Sequence, residues 1–139
     1  MRGADLLAQT LAAAGVSRMF SLSGNQIMPV YDACLDVNIE IVHTRHEAAC
    51  VFMADAWAQL TGEIGVCLVT AAPGASNALG PLYTARQSES PVLFLTGDSP
   101  LGQDGHGAFQ ELDQVAMTTP VTKLSMRATD PGRLGHDTA

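Results

Sequence analysis

A chain of 139 residues has the length of one domain, and 47% apolar residues give it a core to bury rather than the composition of a disordered segment. Its 14 acidic and 7 basic side chains leave a net charge of −7, which excludes partners that need a basic stripe, namely nucleic acid and anionic membrane surfaces. Cys34, Cys50 and Cys67 lie far apart inside apolar runs and read as small buried hydrophobes; without a disulfide or zinc spacing, a signal pattern or an apolar run of about 20 residues, a cytoplasmic setting is expected.

Taken in chain order, helices and strands alternate. "ADLLAQTLAAAG" (4–15) predicts a helix with Gly15 as its stop signal, and "RMFSL" (18–22) a short strand. A turn at 23–26 leads into a helix over 27–36, where Pro29 is tolerable only in the first turn. "IEIVHT" (39–44) is a strand, 46–60 a helix closed by Gly62, and "IGVCLVT" (64–70) a strand apolar on both faces. The Gly/Pro loop "AAPGAS" (71–76) precedes a helix over 77–88 with Asn77 as its cap. "PVLFLTG" (91–97) is a second continuous apolar strand. After a long loop at 98–108 come a helix at 109–118 and a last strand, "VTKLSM", at 121–126. In the tail, Asp130 and Pro131 resemble a cap with proline at the first helical position, so the chain reads as a domain over 1–127 followed by the start of a further segment over 128–139, a chain cut short.

Strands that are apolar on both faces belong to parallel sheets covered on both sides. The expected fold class is therefore α/β, a doubly wound, mainly parallel sheet with helices on both faces. In such sheets ligands sit beyond the carboxyl ends of the strands. Four segments reach that rim: Ser23 to Gln26, Arg45 to Glu47, Ala71 to Asn77, and Gly97 to Gln110.

Glu47 can be read in two ways. A carboxylate in the first turn of a helix gains about 0.3–1 kcal/mol from the helix dipole, an ordinary role. But in the helix that follows the polar residues are only Asp55 and Gln59, so its first turn is expected to be buried, and a buried carboxyl resists ionisation as proton relay requires. The loop at 70–77 could let a backbone approach a flat ligand, cradle a phosphate, or simply turn; the phosphate-loop and dinucleotide glycine patterns are both absent. His43, His46, His106 and His136 form no metal set, and no Ser/His/Asp arrangement is present.

Five segments in one register, "FSLSGNQIMPVYDAC", "RHEAACVFMADAWAQLTG", "VTAAPGASNALGPLYTA", "SPVLFLTGD" and "GAFQELDQ" with "TK" after it, resemble the N-terminal pyrimidine-binding domain of thiamine-diphosphate enzymes, acetolactate synthase-like ones above all. The resemblance covers roughly residues 3–127. It implies that Glu47 is catalytic: its carboxyl would meet the ring nitrogen of the aminopyrimidine and favour the tautomer whose exocyclic nitrogen accepts a proton. Pro73, Gly74 and Asn77 would bind the cofactor with Glu47, Gln110 would join Glu47 as a catalytic residue, and Asn25 and Phe109 would face the substrate. Ala72 stands where the family usually has Gly, and Ser23 and Asn25 replace a Pro and a small residue, so the pocket would be narrower or more polar.

The resemblance further implies thiamine diphosphate as cofactor, a small 2-oxo acid as substrate, and a homodimer or tetramer. It also implies Mg2+ held by a domain not in this chain, the diphosphate-binding domain of a partner protomer; the Gly-Asp-Gly magnesium motif is absent here, since "GDS" at 97–99 has no suitable Asn after it. A dimer is expected on physical grounds too, because helices apolar nearly all round need cover on every side. The alternatives are a 2-oxo acid or oxalyl-CoA-type decarboxylase of the same superfamily, or a non-catalytic interaction domain that kept the fold.

Overall fold

The computed structural model describes residues 1–139. Helix α1 (Gly3–Ala13) leads into β1 (Arg18–Ser21), α2 (Met28–Asp36) and β2 (Glu40–His43). Helix α3 (Glu47–Thr61) is followed by β3 (Gly65–Val69), the short α4 (Pro73–Asn77), α5 (Leu79–Gln87) and β4 (Val92–Thr96). Helices α6 (Gln114–Thr118) and α7 (Leu134–Thr138) complete the chain. The strands form one parallel sheet in the order β2-β1-β3-β4. The chain thus leaves β1 toward β2 on one side and returns to β3 on the other, which puts the topological switch point between β1 and β3.

Period-two alternation sorts the strand side chains into two cores. Met19, Val66 and Leu68 pack on one face with Leu7 and Leu11 of α1 and Ala33 and Cys34 of α2. Phe20, Cys67 and Val69 pack on the other with Cys50, Val51 and Ala54 of α3 and Leu82 of α5. The sheet is therefore doubly wound, as the apolar runs require. Gly65 explains how closely α3 can lie on it: a Cβ there would sit within bonding-forbidden range of the Ala54 backbone. All three cysteines are free and buried, and burial pushes their thiols upward, that of Cys67 furthest.

Several expectations need correction. The predicted last strand at 121–126 is absent. Pro120 sits in a 3-10 turn (Thr119–Val121), and the hydroxyls of Thr118, Thr122 and Ser125 bond one another while Thr122 Oγ1 donates to the Thr118 carbonyl. These local bonds hold the segment beside α6. Strand β4 consequently stays an edge strand and is half-buried along its whole length rather than covered on both faces. The predicted helix at 109–118 begins only at Gln114, capped by Asp113, whose Oδ1 accepts from Ala116 N at 2.9 Å. Before it, Gln110 takes a left-handed backbone (φ 61°) and Glu111 folds back to accept from the N–H groups of Gly105 and Ala108, so no helix can start there. The loop at 71–76 is largely α4, with Pro73 at its first position, and Asn77 ends α4 rather than capping α5.

The tail does form the expected cap: Asp130 Oδ1 accepts from Gly132 N at 2.8 Å, and a turn at Pro131–Arg133 runs into α7. Residues 131–138 fold back onto α1, with Leu134 close against Gly3. Helix α3 is not covered all round: Phe52 is 52% and Leu60 85% exposed, whereas the polar Asp55 is buried and accepts from Gln59 Nε2. Its first residue, Glu47, is only half-buried, because the helix buries a single stripe of Cys50, Val51, Ala54, Asp55 and Ala58.

Candidate functional site

The rim beyond β1 and β3 gathers most of the polar residues singled out above. His46 ends the chain's approach from β2: its Nδ1 accepts from Ala48 N at 3.1 Å and so caps α3. That cap holds Glu47 as the first helical residue, with its side chain turned toward α4. Asn77 Nδ2 donates to Glu47 Oε2 at 2.9 Å, tying the start of α3 to the end of α4. Oε1 of Glu47 has no hydrogen-bond partner in the chain. Gly74 lies beside that free oxygen; a Cβ at Gly74 would stand 3.5 Å from Oε1 and 2.8 Å from Thr70 Cγ2. Only glycine leaves room for the Thr70 methyl here and lets α4 pack close to the carboxyl.

The turn that brings Pro73 and Gly74 here is strained. Ala72 has φ 49° and ψ −92°, a positive-φ conformation that costs a non-glycine residue roughly 1–3 kcal/mol. Gln114, a buried residue of α6, holds it. Its Oε1 accepts from Ala72 N at 3.1 Å and its Nε2 donates to the Gly97 carbonyl at 2.9 Å, clipping the ends of β3 and β4 together. A second polar group lies nearby: Gln26 Nε2 donates to Gln110 Oε1 at 2.6 Å, and Thr70 Oγ1 donates to Gln26 Oε1 at 2.7 Å. Thr70 touches both groups, since its methyl faces Gly74.

The structure thus brings together Glu47, Gly74 and Asn77, with Pro73 exposed at the start of α4, and places Gln110 on the far side of Thr70. Asn25 and Phe109 are not drawn in. Asn25 is exposed at the start of a 3-10 turn (Asn25–Ile27), and Phe109 is 76% exposed. Gln26, not Asn25, turns its side chain into the site. Sequence reasoning missed Gln26, Thr70 and Gln114. The first two lie at the ends of strands whose rim position was legible, but the third sits on a helix whose start was misplaced by five residues.

No group of three or more His, Cys, Asp or Glu side chains could hold a metal ion, and no helix is long and apolar enough to cross a membrane. A latch of opposite charges closes the rim below β4: Arg127 donates to Asp104 at 2.8 Å, and its Nε lies 2.6 Å from Asp98 Oδ2 as an ion pair whose angle makes no hydrogen bond. The Arg127 guanidinium beside it holds the Asp104 carboxyl below the usual carboxylate range.

A doubly wound parallel sheet with a half-paired carboxyl and a close-packed glycine at its switch point defines a ligand-binding α/β domain. Comparison with known sequences narrows this: residues 1–117 match the sequence model described as thiamine pyrophosphate enzyme, N-terminal TPP binding domain, and the chain belongs to that family. Among curated relatives it is 39% identical over 131 residues to a probable acetolactate synthase large subunit of Methanocaldococcus jannaschii, covering 94% of this chain and 22% of the relative. It is 40% identical over 126 residues to the acetolactate synthase isozyme 3 large subunit of Escherichia coli, covering 90% of this chain and 22% of the relative. It is 42% identical over 122 residues to 2-hydroxyacyl-CoA lyase 2 of Bos taurus, covering 88% of this chain and 19% of the relative. The chain therefore spans about a fifth of the length of these relatives. Its similarity runs to acetolactate synthases and 2-hydroxyacyl-CoA lyases alike, and what they share with it is the N-terminal thiamine-pyrophosphate-binding domain family.

The residues present fit that cofactor. An aminopyrimidine offers a ring nitrogen and a flat face. The free Oε1 of Glu47 suits the first, and the exposed Pro73 at the start of α4 suits the second.

Proposed function

We propose that this chain is the pyrimidine-binding half of an active site that decarboxylates or ligates 2-oxo acids. The carrying observation is the Glu47 carboxyl, oriented by Asn77 through Oε2 and open to a ligand through Oε1. When bound, thiamine diphosphate supplies a carbon nucleophile and an electron sink for breaking or making a bond beside a carbonyl. Glu47 would share a proton with the ring nitrogen, acting as acid and base at Oε1. Pro73, at the start of α4, would lie against the flat ring, and Gly74 would bind with it by letting α4 pack close to Thr70 and Glu47. Asn77 would keep the carboxyl from turning away. Gln110 would reach the substrate as a second catalytic residue, and Asn25 and Phe109, exposed outside this group, would face the substrate only once a partner domain covers the rim.

The rest of the site lies outside these residues in this reading. Mg2+ and the diphosphate would be held by the diphosphate-binding domain of a partner protomer in a homodimer or tetramer. The exposed Phe52, Leu60 and Tyr83 on α3 and α5 support such an assembly, because large apolar side chains grouped on one layer gain from being covered. Three free, buried thiols accord with a reducing, cytoplasmic setting.

In the full-length protein, Glu47→Gln is expected to lower turnover of a 2-oxo acid such as pyruvate by at least roughly 100-fold, the range for a lost acid–base group. Unchanged turnover would defeat the assignment. The names of the lyase relatives favour a second reading, cleavage of a 2-hydroxyacyl thioester. A polar Gln26 turned into the site accords with such a change of substrate. Screening 2-oxo acids against 2-hydroxyacyl-CoA thioesters separates the two. A full-length protein giving no heat with thiamine diphosphate and magnesium would leave only a non-catalytic interaction domain.

A further inference from the structure

Thr70, Gln26 and Gln110 form a hydrogen-bonded chain across the switch point, drawn from the segments after β3, β1 and β4. Its members have little freedom. A Cβ on Gly24 would lie 2.4 Å from Thr70 Cβ, and one on Gly97 would lie 2.6 Å from Gln26 Cβ, so both side chains are wedged against backbone. Gln110 itself sits in a left-handed conformation that a non-glycine residue adopts only when its surroundings impose it.

The chain has a direction. The Thr70 hydroxyl has one proton, and Gln26 Oε1 accepts it at 2.7 Å. Reversing the Gln26 amide alone would set its carbonyl oxygen against that of Gln110. Reversing both amides would turn Nε2 groups toward Thr70, whose proton would then lose both of its acceptors, Gln26 Oε1 and the more distant Gln110 Oε1 at 3.4 Å. With Gln26 Oε1 taken by Thr70, Nε2 donates to Gln110 Oε1. The Gln110 carbonyl is thereby occupied. Its Nε2 keeps two N–H groups with no protein partner, on a residue that is only half-buried at the rim.

We propose that Thr70 and Gln26 are positioning residues that set the polarity of the Gln110 amide, presenting its NH2 group to the substrate as a hydrogen-bond donor. The proposal rests on the reading of this domain as half of a 2-oxo acid site. The carboxylate and keto oxygens of such a substrate only accept hydrogen bonds, so a donor attracts them. A reversed amide would confront them with a carbonyl.

A double-mutant cycle tests this in the full-length protein loaded with thiamine diphosphate and magnesium. The probe is oxalate, a non-reacting dianion with the acceptor oxygens of a 2-oxo acid, and calorimetry reads its affinity. Gln110→Met removes the donor and is expected to weaken oxalate by roughly tenfold. Gln26→Met and Thr70→Val, both uncharged, each free the Gln110 amide to turn and weaken oxalate by a few-fold, while Thr70→Ser restores it. In the Gln110→Met background, neither substitution has a further effect, and cofactor affinity holds throughout. Three results would overturn the inference: wild-type oxalate affinity in both Gln26→Met and Thr70→Val, the same losses persisting without Gln110, or cofactor affinity falling in step with oxalate affinity in both. A wild-type protein that binds cofactor but no oxalate would overturn it as well. A wild-type protein that binds no cofactor refutes the 2-oxo acid reading itself.

Discussion

Gln114→Leu should loosen the cofactor loop without touching the residues assigned to chemistry. In the folded chain the Gln114 amide satisfies two buried backbone groups, the Ala72 N–H and the Gly97 carbonyl. Leucine has nearly the same volume and fills the space, but leaves both groups unpaired. Each orphaned group costs about 1–3 kcal/mol, and about 1–2 kcal/mol returns because a buried amide no longer needs desolvating. The net loss is about 2 kcal/mol, and it falls where the strained Ala72 turn already costs energy. Hydrogen exchange of peptides spanning 70–78 in the full-length protein is the direct assay. Opening of that segment should be about 30-fold more populated, since about 2 kcal/mol shifts an equilibrium by that factor. Gln114→Glu should behave similarly: a carboxylate can accept from Ala72 N but cannot donate to the Gly97 carbonyl. Wild-type exchange at 70–78 in both variants would refute the view that this amide holds the loop.

Ala72→Gly removes a strain of roughly 1–3 kcal/mol and adds about 0.5–1 kcal/mol of unfolded-chain entropy, so a neutral to stabilised protein is expected on denaturant titration; clear destabilisation would show that the positive φ is not costly here. Arg127→Ala should expose the 98–108 segment, read as faster proteolytic cleavage there. Because the folded Asp104 carboxyl titrates below its unfolded value, its share of the latch is complete above the usual aspartate range. That share is lost only as pH falls below about 4 and through the lowered folded value. Cleavage of the wild-type loop should therefore be flat from neutral pH down to about 5 and rise below it; a rise near neutrality would assign the latch to another group.

Much of this protein follows from its sequence. "IGVCLVT" and "PVLFLTG" are apolar on both faces and too short to bury themselves as helices, so a covered parallel sheet is the arrangement that satisfies their backbones, and with "RMFSL" and "IEIVHT" beside them β1 to β4 start and end within about a residue of expectation. The rim position of Glu47 follows as well, because a helix that starts straight after a strand must start there. What tertiary structure alone decided lies in side-chain pairings between distant segments. Gln110 was misplaced on a helix because its left-handed backbone is imposed from outside, by Glu111 folding back and by Gln26, 84 residues earlier. "VTKLSM" has strand propensity but is held beside α6 by hydroxyl groups that no periodicity registers. Whether Glu47 would be buried, whom Asn77 would meet and which way Gln26 would turn were equally out of reach. A hydrophobic pattern is a local average that selects a face, whereas a hydrogen bond between separated loops depends on distances that only the packed chain sets.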